Sequence, residues 1–124
     1  MIYAIYLTHA NWSNVGRVHT RISGSAHYSP ENTYEFGVWN HLVVSFHNQA
    51  LKFYRDGVLK GTNTETASTI SYSGYENQNV MIGVNPSGTE DFEGEYSNVK
   101  LYNRALTDAE VKQNFEAIRG RFGL

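Results

Sequence analysis

The stretch FEGEYSNVKLYNRALTDAEVKQNFEAI, residues 92–118, runs from a strand-like segment straight into a helix whose start is spelled out by side chains. Thr107 stands as N-cap with Glu110 three residues on, the spacing of a capping box, and Leu106 and Val111 stand where a hydrophobic staple needs its apolar pair. From Asp108 onward, Val111, Phe115 and Ile118 recur at spacings of four and three, which predicts a short helix with one apolar face. That face must bury against something larger. Gly120 supplies a stop, and Lys112, Arg119 and Arg121 leave positive charge towards the C-terminal end, where the helix dipole favours it. Val99, Leu101 and Tyr102 read as a strand before the helix, with Asn103 to Ala105 as a short link.

Upstream, the pattern is that of strands. Ile2, Tyr3, Ile5, Tyr6 and Leu7 form a first run of β-formers, followed by a polar turn over Asn11 to Asn14 and Gly16. In Val15 to Ile22, Val18, Thr20 and Ile22 face one way and Arg17, His19 and Arg21 the other, as in a half-exposed strand. Gly24 to Asn32 reads as loop or edge, and Thr33 to Phe36 as a short strand. Trp39 to Phe46 is apolar on both faces in its middle, which predicts a strand covered on both sides or central in a sandwich. Trp39 itself is expected in the core.

His47 to Ala50 turns the chain into a partner strand through Leu51, Phe53 and Tyr54. Asp56-Gly57 is the strongest hairpin signal, because a type I′ turn needs positive φ at both central residues. Thr62 to Thr69 is a polar stretch, Ile70 to Tyr72 a short strand, Ser73 to Asn77 a turn, and Val80, Ile82 and Val84 alternate as a strand before a surface loop at Asn85 to Gly88. The expected order is about nine strands and one terminal helix, with no internal repeat.

Composition agrees with one domain: 124 residues, 17 of them aromatic, with 11 glycines and two prolines, suit an all-β sandwich rich in turns. A net charge of −2 leaves no basic stripe for phosphates, which argues against a nucleic-acid binder. There is no cysteine, so disulfides and thiolate metal sites are excluded. Met1 to Leu7 lacks a basic start and a cleavage site and reads as a strand, not a signal peptide, and no segment approaches the length of a membrane span.

Several blocks in this order resemble a known family: Trp39 to Val44, Phe53-Tyr54-Arg55-Asp56-Gly57, Val80 to Gly83, Phe92-Glu93-Gly94, and Val99 through Val111. Together they resemble the laminin-G-like, concanavalin A-like jelly-roll domains of lectins, adhesins, modules appended to glycoside hydrolases, and phage structural proteins. The resemblance runs from near Phe36 to Ile118 and implies a concanavalin A-like β-sandwich with a short C-terminal α-helix. It also implies a chain trimmed at its N-terminal side, with an edge that its own first strand or a neighbouring chain would cover. Where the family often carries Ile-Asp after the Phe-x-Gly block, this chain has Tyr96 and Ser97, which removes a carboxylate.

Candidate sites follow from side-chain chemistry. Glycan recognition needs aromatic faces beside amides and carboxylates, a mixture supplied by Tyr72, Tyr75, Asn77 and Asn79, and again by Trp12 with Asn11 and Asn14. Calcium takes carboxylate and carbonyl oxygens, and Asn85, Glu90 and Asp91 lie in or beside one loop. Asp91, Glu93 and Glu95 alternate and, on a strand, would project three carboxylates from one face, the raw material of a glycoside hydrolase. Their order, Asp-x-Glu-x-Glu, departs from the Glu-x-Asp-x-Glu of such enzymes, so a solvated face is the expectation and no catalytic residue is assigned. The five histidines, His9, His19, His27, His41 and His47, show no metal-ligand spacing. No Gly-x-Ser-x-Gly elbow or phosphate-binding glycine loop is present. The resulting expectation is a non-catalytic lectin-like module, set in a virion or outside the cell, that binds glycan and associates with copies of itself or other virion proteins. The alternatives are a purely structural assembly protein and, third, a small glycoside hydrolase.

Overall fold

A computed structural model describes residues 3–7, 16–22, 24–70, 81–84, 88–89 and 91–124. The chain divides into two units, Met1–Ser71 with Asn103–Leu124, and Tyr72–Tyr102. In the first unit, β1 (Tyr3–Leu7), β2 (Val18–Ile22) and β3 (Ser25–Tyr28) form one antiparallel sheet in the order β1-β2-β3. A second antiparallel sheet holds β4 (Leu42–His47), β5 (Ala50–Arg55) and β6 (Val58–Thr64) in the order β4-β5-β6. The helix α1 (Asp108–Ile118) follows, extended by a 3₁₀ turn over Arg119–Arg121.

The period-2 alternation of β2 places Val18, Thr20 and Ile22 inward, each at most 2% exposed. They meet Leu51 and Phe53 of β5, both fully buried, with Leu42, Val44 and Phe46 of β4 packed at the margin. This is the inter-sheet core. The opposite face of the second sheet presents Val43 and Tyr54, which Val111 of the helix and Leu106 just before it cover. β4 is thus covered on both faces while lying at an edge of its sheet.

Two hairpins build that sheet. Asn48 and Gln49 turn β4 into β5 with φ of 43° and 69°, and Asp56 and Gly57 turn β5 into β6 with φ of 50° and 78°. The positive angles at both central residues are those of primed turns, whose twist matches the strands. The expected hairpin at Asp56-Gly57 is present, and a Cβ on Gly57 would lie 3.1 Å from Phe115 Cδ1 and 3.3 Å from Lys112 Cα, so the second turn packs directly on the helix.

The helix start matches its expectation atom for atom. Thr107 Oγ1 accepts from the Glu110 backbone N–H at 3.2 Å, and the Thr107 N–H donates to Glu110 Oε2 at 2.8 Å. Arg104 forks onto the same Glu110 carboxylate at 2.9 and 2.7 Å. That guanidinium, with the Thr107 N–H, holds the Glu110 carboxyl down at about 2. The stop differs: the chain continues through Gly120 in the 3₁₀ turn, and Gly123, at φ 69°, is the left-handed residue, with Leu124 N–H closing onto Arg119 O at 3.1 Å.

Other expectations are corrected. Thr33 to Phe36 is a bend and turn, not a strand, because Asn32 adopts φ 57° and the Tyr34 N–H is spent on Gly16 O at 3.0 Å. The polar stretch from Thr62 is strand as far as Thr64, because β5 offers it a ladder. Ile70 packs on the inter-sheet core without strand pairing. In the second unit, the described residues hold no strand, only a bridge between Val84 and Asp91 with Phe92 N–H donating to Gly83 O at 2.8 Å. The Phe92 ring lies over Gly94 and meets Tyr96 at a tilt, with centroids 4.6 Å apart. Val99 to Tyr102, expected as a strand, has no ladder among the described residues, and Leu101 is 88% exposed.

One close approach of β6 to the segment that follows β3 tests this packing. A Cβ on Gly61 of β6 would fall 2.6 Å from Cδ and 2.8 Å from Cγ of Pro30, a ring that cannot rotate away. Gly61→Ala is expected to destabilise the first unit by about 1–3 kcal/mol through overpacking. Urea titration followed by far-UV circular dichroism measures it, and an unchanged midpoint would contradict the packing described.

Candidate functional site

Of the residues expected at a glycan site, Trp12, Tyr72, Tyr75, Asn77 and Asn79 lie outside the described residues, as do Asn85 and Glu90 of the expected calcium set. Asp91 is described: it is exposed and its backbone bridges to Val84. Among the described residues no three His, Cys, Asp or Glu side chains gather into a metal-sized cluster. Asp91, Glu93 and Glu95 are all exposed, and Glu93 and Glu95 lie in no strand, so their alternation does not place them on a common sheet face. They match the solvated reading.

The structure brings together two arrangements that sequence reasoning missed. The first is a loop of Glu35 to Asn40. The Asn40 side chain closes it, accepting from the Glu35 N–H at 3.1 Å and donating to Glu35 O at 2.8 Å and Val38 O at 2.9 Å. Its base is tied to the β5–β6 turn: Asp56 Oδ1 accepts from the His41 N–H at 2.9 Å, and Arg55 bridges Asp56 Oδ2 at 3.2 Å and Glu35 Oε1 at 2.9 Å. The Arg55 guanidinium holds the Glu35 carboxyl below its ordinary range. Gly37 lies at the tip with φ 74° and open space around it.

With the backbone so held, the apolar side chains point outward. Phe36 is 52% exposed and Val38 51%, and Phe36 meets Tyr34 edge-on at 5.1 Å. Trp39, expected in the core, is 36% exposed and leans on Phe122 at 4.9 Å. The reason is positional: β4 begins at Leu42, so Trp39 precedes the pleat that would turn it inward.

The second arrangement joins the sheets. Glu65, just past β6 and 3% exposed, accepts from His27 Nε2 of β3 at 2.6 Å, from the Thr66 N–H at 2.6 Å and hydroxyl at 2.9 Å, and from the Ala67 N–H at 3.3 Å. The His27 bond foremost, then those from Thr66 and Ala67, hold the Glu65 carboxyl down at about 2 despite burial. Nearby, Asn63 donates to Tyr28 O at 2.8 Å, a second tie across the gap. A buried carboxylate just past β6 that accepts from β3 of the other sheet is a clasp, and its 38-residue span from His27 hides it from local pattern.

Comparison with known proteins defines the class. A family model for the concanavalin A-like lectin/glucanases superfamily, of the laminin G type, matches residues 3–112. The chain belongs to this superfamily: it is an all-β, concanavalin A-like sandwich with a short C-terminal helix, as the sequence resemblance implied. Over 79 residues, 62% of its length, it is 34% identical to usherin of Homo sapiens and 29% identical to usherin of Mus musculus. It spans 2% of the length of those relatives. Among solved structures, an S-layer domain-containing protein from Clostridium thermocellum ATCC 27405 shares the fold with a TM-score of 0.57 at 16% identity, over 92% of this chain and 63% of that one. No helix among the described residues is long and apolar enough to cross a membrane.

The clasp carries a pH prediction. Glu65 has its pKa lowered in the folded state from 4.5 to about 2, so its contribution is fully present above the unfolded value and is lost as pH falls from 4.5 towards 2. Glu65→Gln is expected to lower the melting temperature at neutral pH and to flatten the loss of stability over that acid window. Melting curves of wild type and variant across pH check this, and parallel curves would show that Glu65 is not the titrating group.

Proposed function

We propose that this chain is a non-catalytic, lectin-like recognition module that works outside the cell and takes glycan as its ligand. The superfamily joins lectins to glucanases, and the observation that carries the reading is the state of the acidic run. Glycoside hydrolysis needs two carboxyl groups held roughly 5–10 Å apart across the scissile bond. Asp91, Glu93 and Glu95 are solvent-exposed, and no run of strand holds them at such a separation. That supports the lectin half of the family's range.

In this proposal Tyr72, Tyr75, Asn77, Asn79 and Trp12 contribute to ligand contact through the aromatic and amide chemistry that sugars require. Asn85, Glu90 and Asp91 supply oxygens of the kind calcium takes. A virion component that pairs with copies of itself or with other virion proteins is a narrower form of the same reading. Among the described residues β1 and β3 are the outer strands of one sheet and β4 and β6 of the other, and outer strands are the elements such pairing uses.

A glycan array read with calcium and again with chelator tests the proposal. Wild-type protein is expected to retain a defined set of sugars and to release no reducing ends from the polysaccharides it binds. Absence of binding under both conditions would leave the purely structural role, and measurable turnover abolished by Glu93→Gln or Glu95→Gln would return the protein to the glucanases.

A further inference from the structure

We infer that the peptide bond between Lys100 and Leu101 is a processing site for a trypsin-like protease, cut in the folded protein without prior opening. A protease takes its substrate as an extended segment, so the residues on both sides of the bond must be accessible and outside any helix or ladder. From Glu93 to Arg104 every residue is exposed, and none lies in a helix or a strand. Val99 and Leu101, which flank Lys100, are 55% and 88% exposed. The residue after the bond is leucine, so no proline ring obstructs it.

Geometry selects Lys100 from the chain's ten basic residues. Arg21, Lys52, Arg55 and Lys60 sit in strand ladders, Lys112 in α1, and the two arginines past it in the 3₁₀ turn. The bond after Arg121 is guarded further, since Phe122 packs on Trp39 at 4.9 Å and donates its N–H to Arg119 O at 3.0 Å. Arg17 pairs with Glu31 at 2.8 Å, one residue before β2 begins. Arg104 is exposed, but it forks onto Glu110 at 2.9 and 2.7 Å and donates to Ala105 O at 3.1 Å. An anionic specificity pocket would have to strip that guanidinium from the capping box. Lys100 is exposed and has no hydrogen bond or ion pair among the described residues.

The reaction is hydrolysis of one amide. Water's oxygen stays on the Lys100 carbonyl carbon as part of a carboxylate, and both its protons end on the Leu101 nitrogen as an ammonium. The piece 101–124 keeps its anchors, because Leu106 and Val111 are buried with Tyr54 and Asp108 accepts from Tyr54 and Lys52. The cut therefore leaves helix and sheet together, with residues 72–100 joined to the first unit through Ser71 alone.

Trypsin added at a low ratio to the whole native chain, with intact masses followed over time, tests this. The first products are expected to be residues 1–100 and 101–124, eluting together from a size-exclusion column. Lys100→Gln should slow the first cut at least about tenfold, because every other basic site must wait for local opening or for loss of its ion pair. Arg104→Gln should leave cutting at Lys100 as fast as in wild type. Melting curves show that both surface variants are folded. A first cut at any other bond, or a folded Lys100→Gln variant nicked at the wild-type rate, would overturn the site. Separation of the two pieces on the column would overturn the retained docking of the helix.

Discussion

Everything in the first unit depends on β5 being covered on both faces. Leu51 and Phe53 point one way and Tyr54 the other, and none of the three is more than 1% exposed. Burying a large side chain is worth about 1.5–3 kcal/mol, so leaving either face of this strand in water would forfeit much of a small domain's stability. The first face is closed by β2 of the other sheet, the second by α1, and the layer order of sheet, sheet and helix follows. The polar end of Tyr54 fits the same demand. Its hydroxyl donates to Asp108 Oδ1 at 2.7 Å at the helix start, where Lys52 also reaches that oxygen at 3.0 Å, so the buried ring is satisfied and the helix end is fixed over the strand. Burial and the neighbouring carboxylate push the Tyr54 hydroxyl's pKa upward, which keeps it a donor.

What could be read in advance was what is written locally. The capping box and staple at Leu106 to Val111, the Asp56-Gly57 hairpin and the alternation of Val18, Thr20 and Ile22 each depend on residues a few positions apart, and each is present. Of the expected doubly covered strand Trp39 to Phe46, the part from Leu42 was legible, because Leu42 and Val43 needed opposite neighbours. The errors lie where local preference met a non-local demand. Thr33 to Phe36 has β-forming composition, yet its backbone bonds go to Gly16 and Asn40, and no ladder remains for it. Val99 to Tyr102 has the alternation of a strand, but alternation needs a partner before it becomes one.

The candidate sites were less legible than the fold for a related reason. Asp91, Glu93 and Glu95 drew attention by spacing, which carries chemistry only if a strand holds it. Glu65 drew none, since a single glutamate in a Ser/Thr-rich stretch looks like surface. Its burial comes from the way β3 and β6 bring His27, Thr66 and Ala67 around one carboxylate. A buried carboxylate is costly unless its oxygens are filled, and here four donors fill them. The role that follows is to hold two sheets in register.

The same economy of anchoring links the frame to the aromatic loop. Asp56 turns β5 into β6, accepts from the His41 backbone and pairs with Arg55, which in turn holds Glu35. Gly57 beside it lies against Phe115 of the helix. The loop that carries Phe36 and Trp39 is therefore fastened to the hairpin turn that packs on the helix, so opening it would disturb contacts of that turn itself. A scaffold recognises through loops because loops vary while the frame does not, but affinity requires that the loop lose little freedom on binding. Tying this loop to the hairpin turn that abuts the helix limits its freedom with the same few side chains that fix the turn.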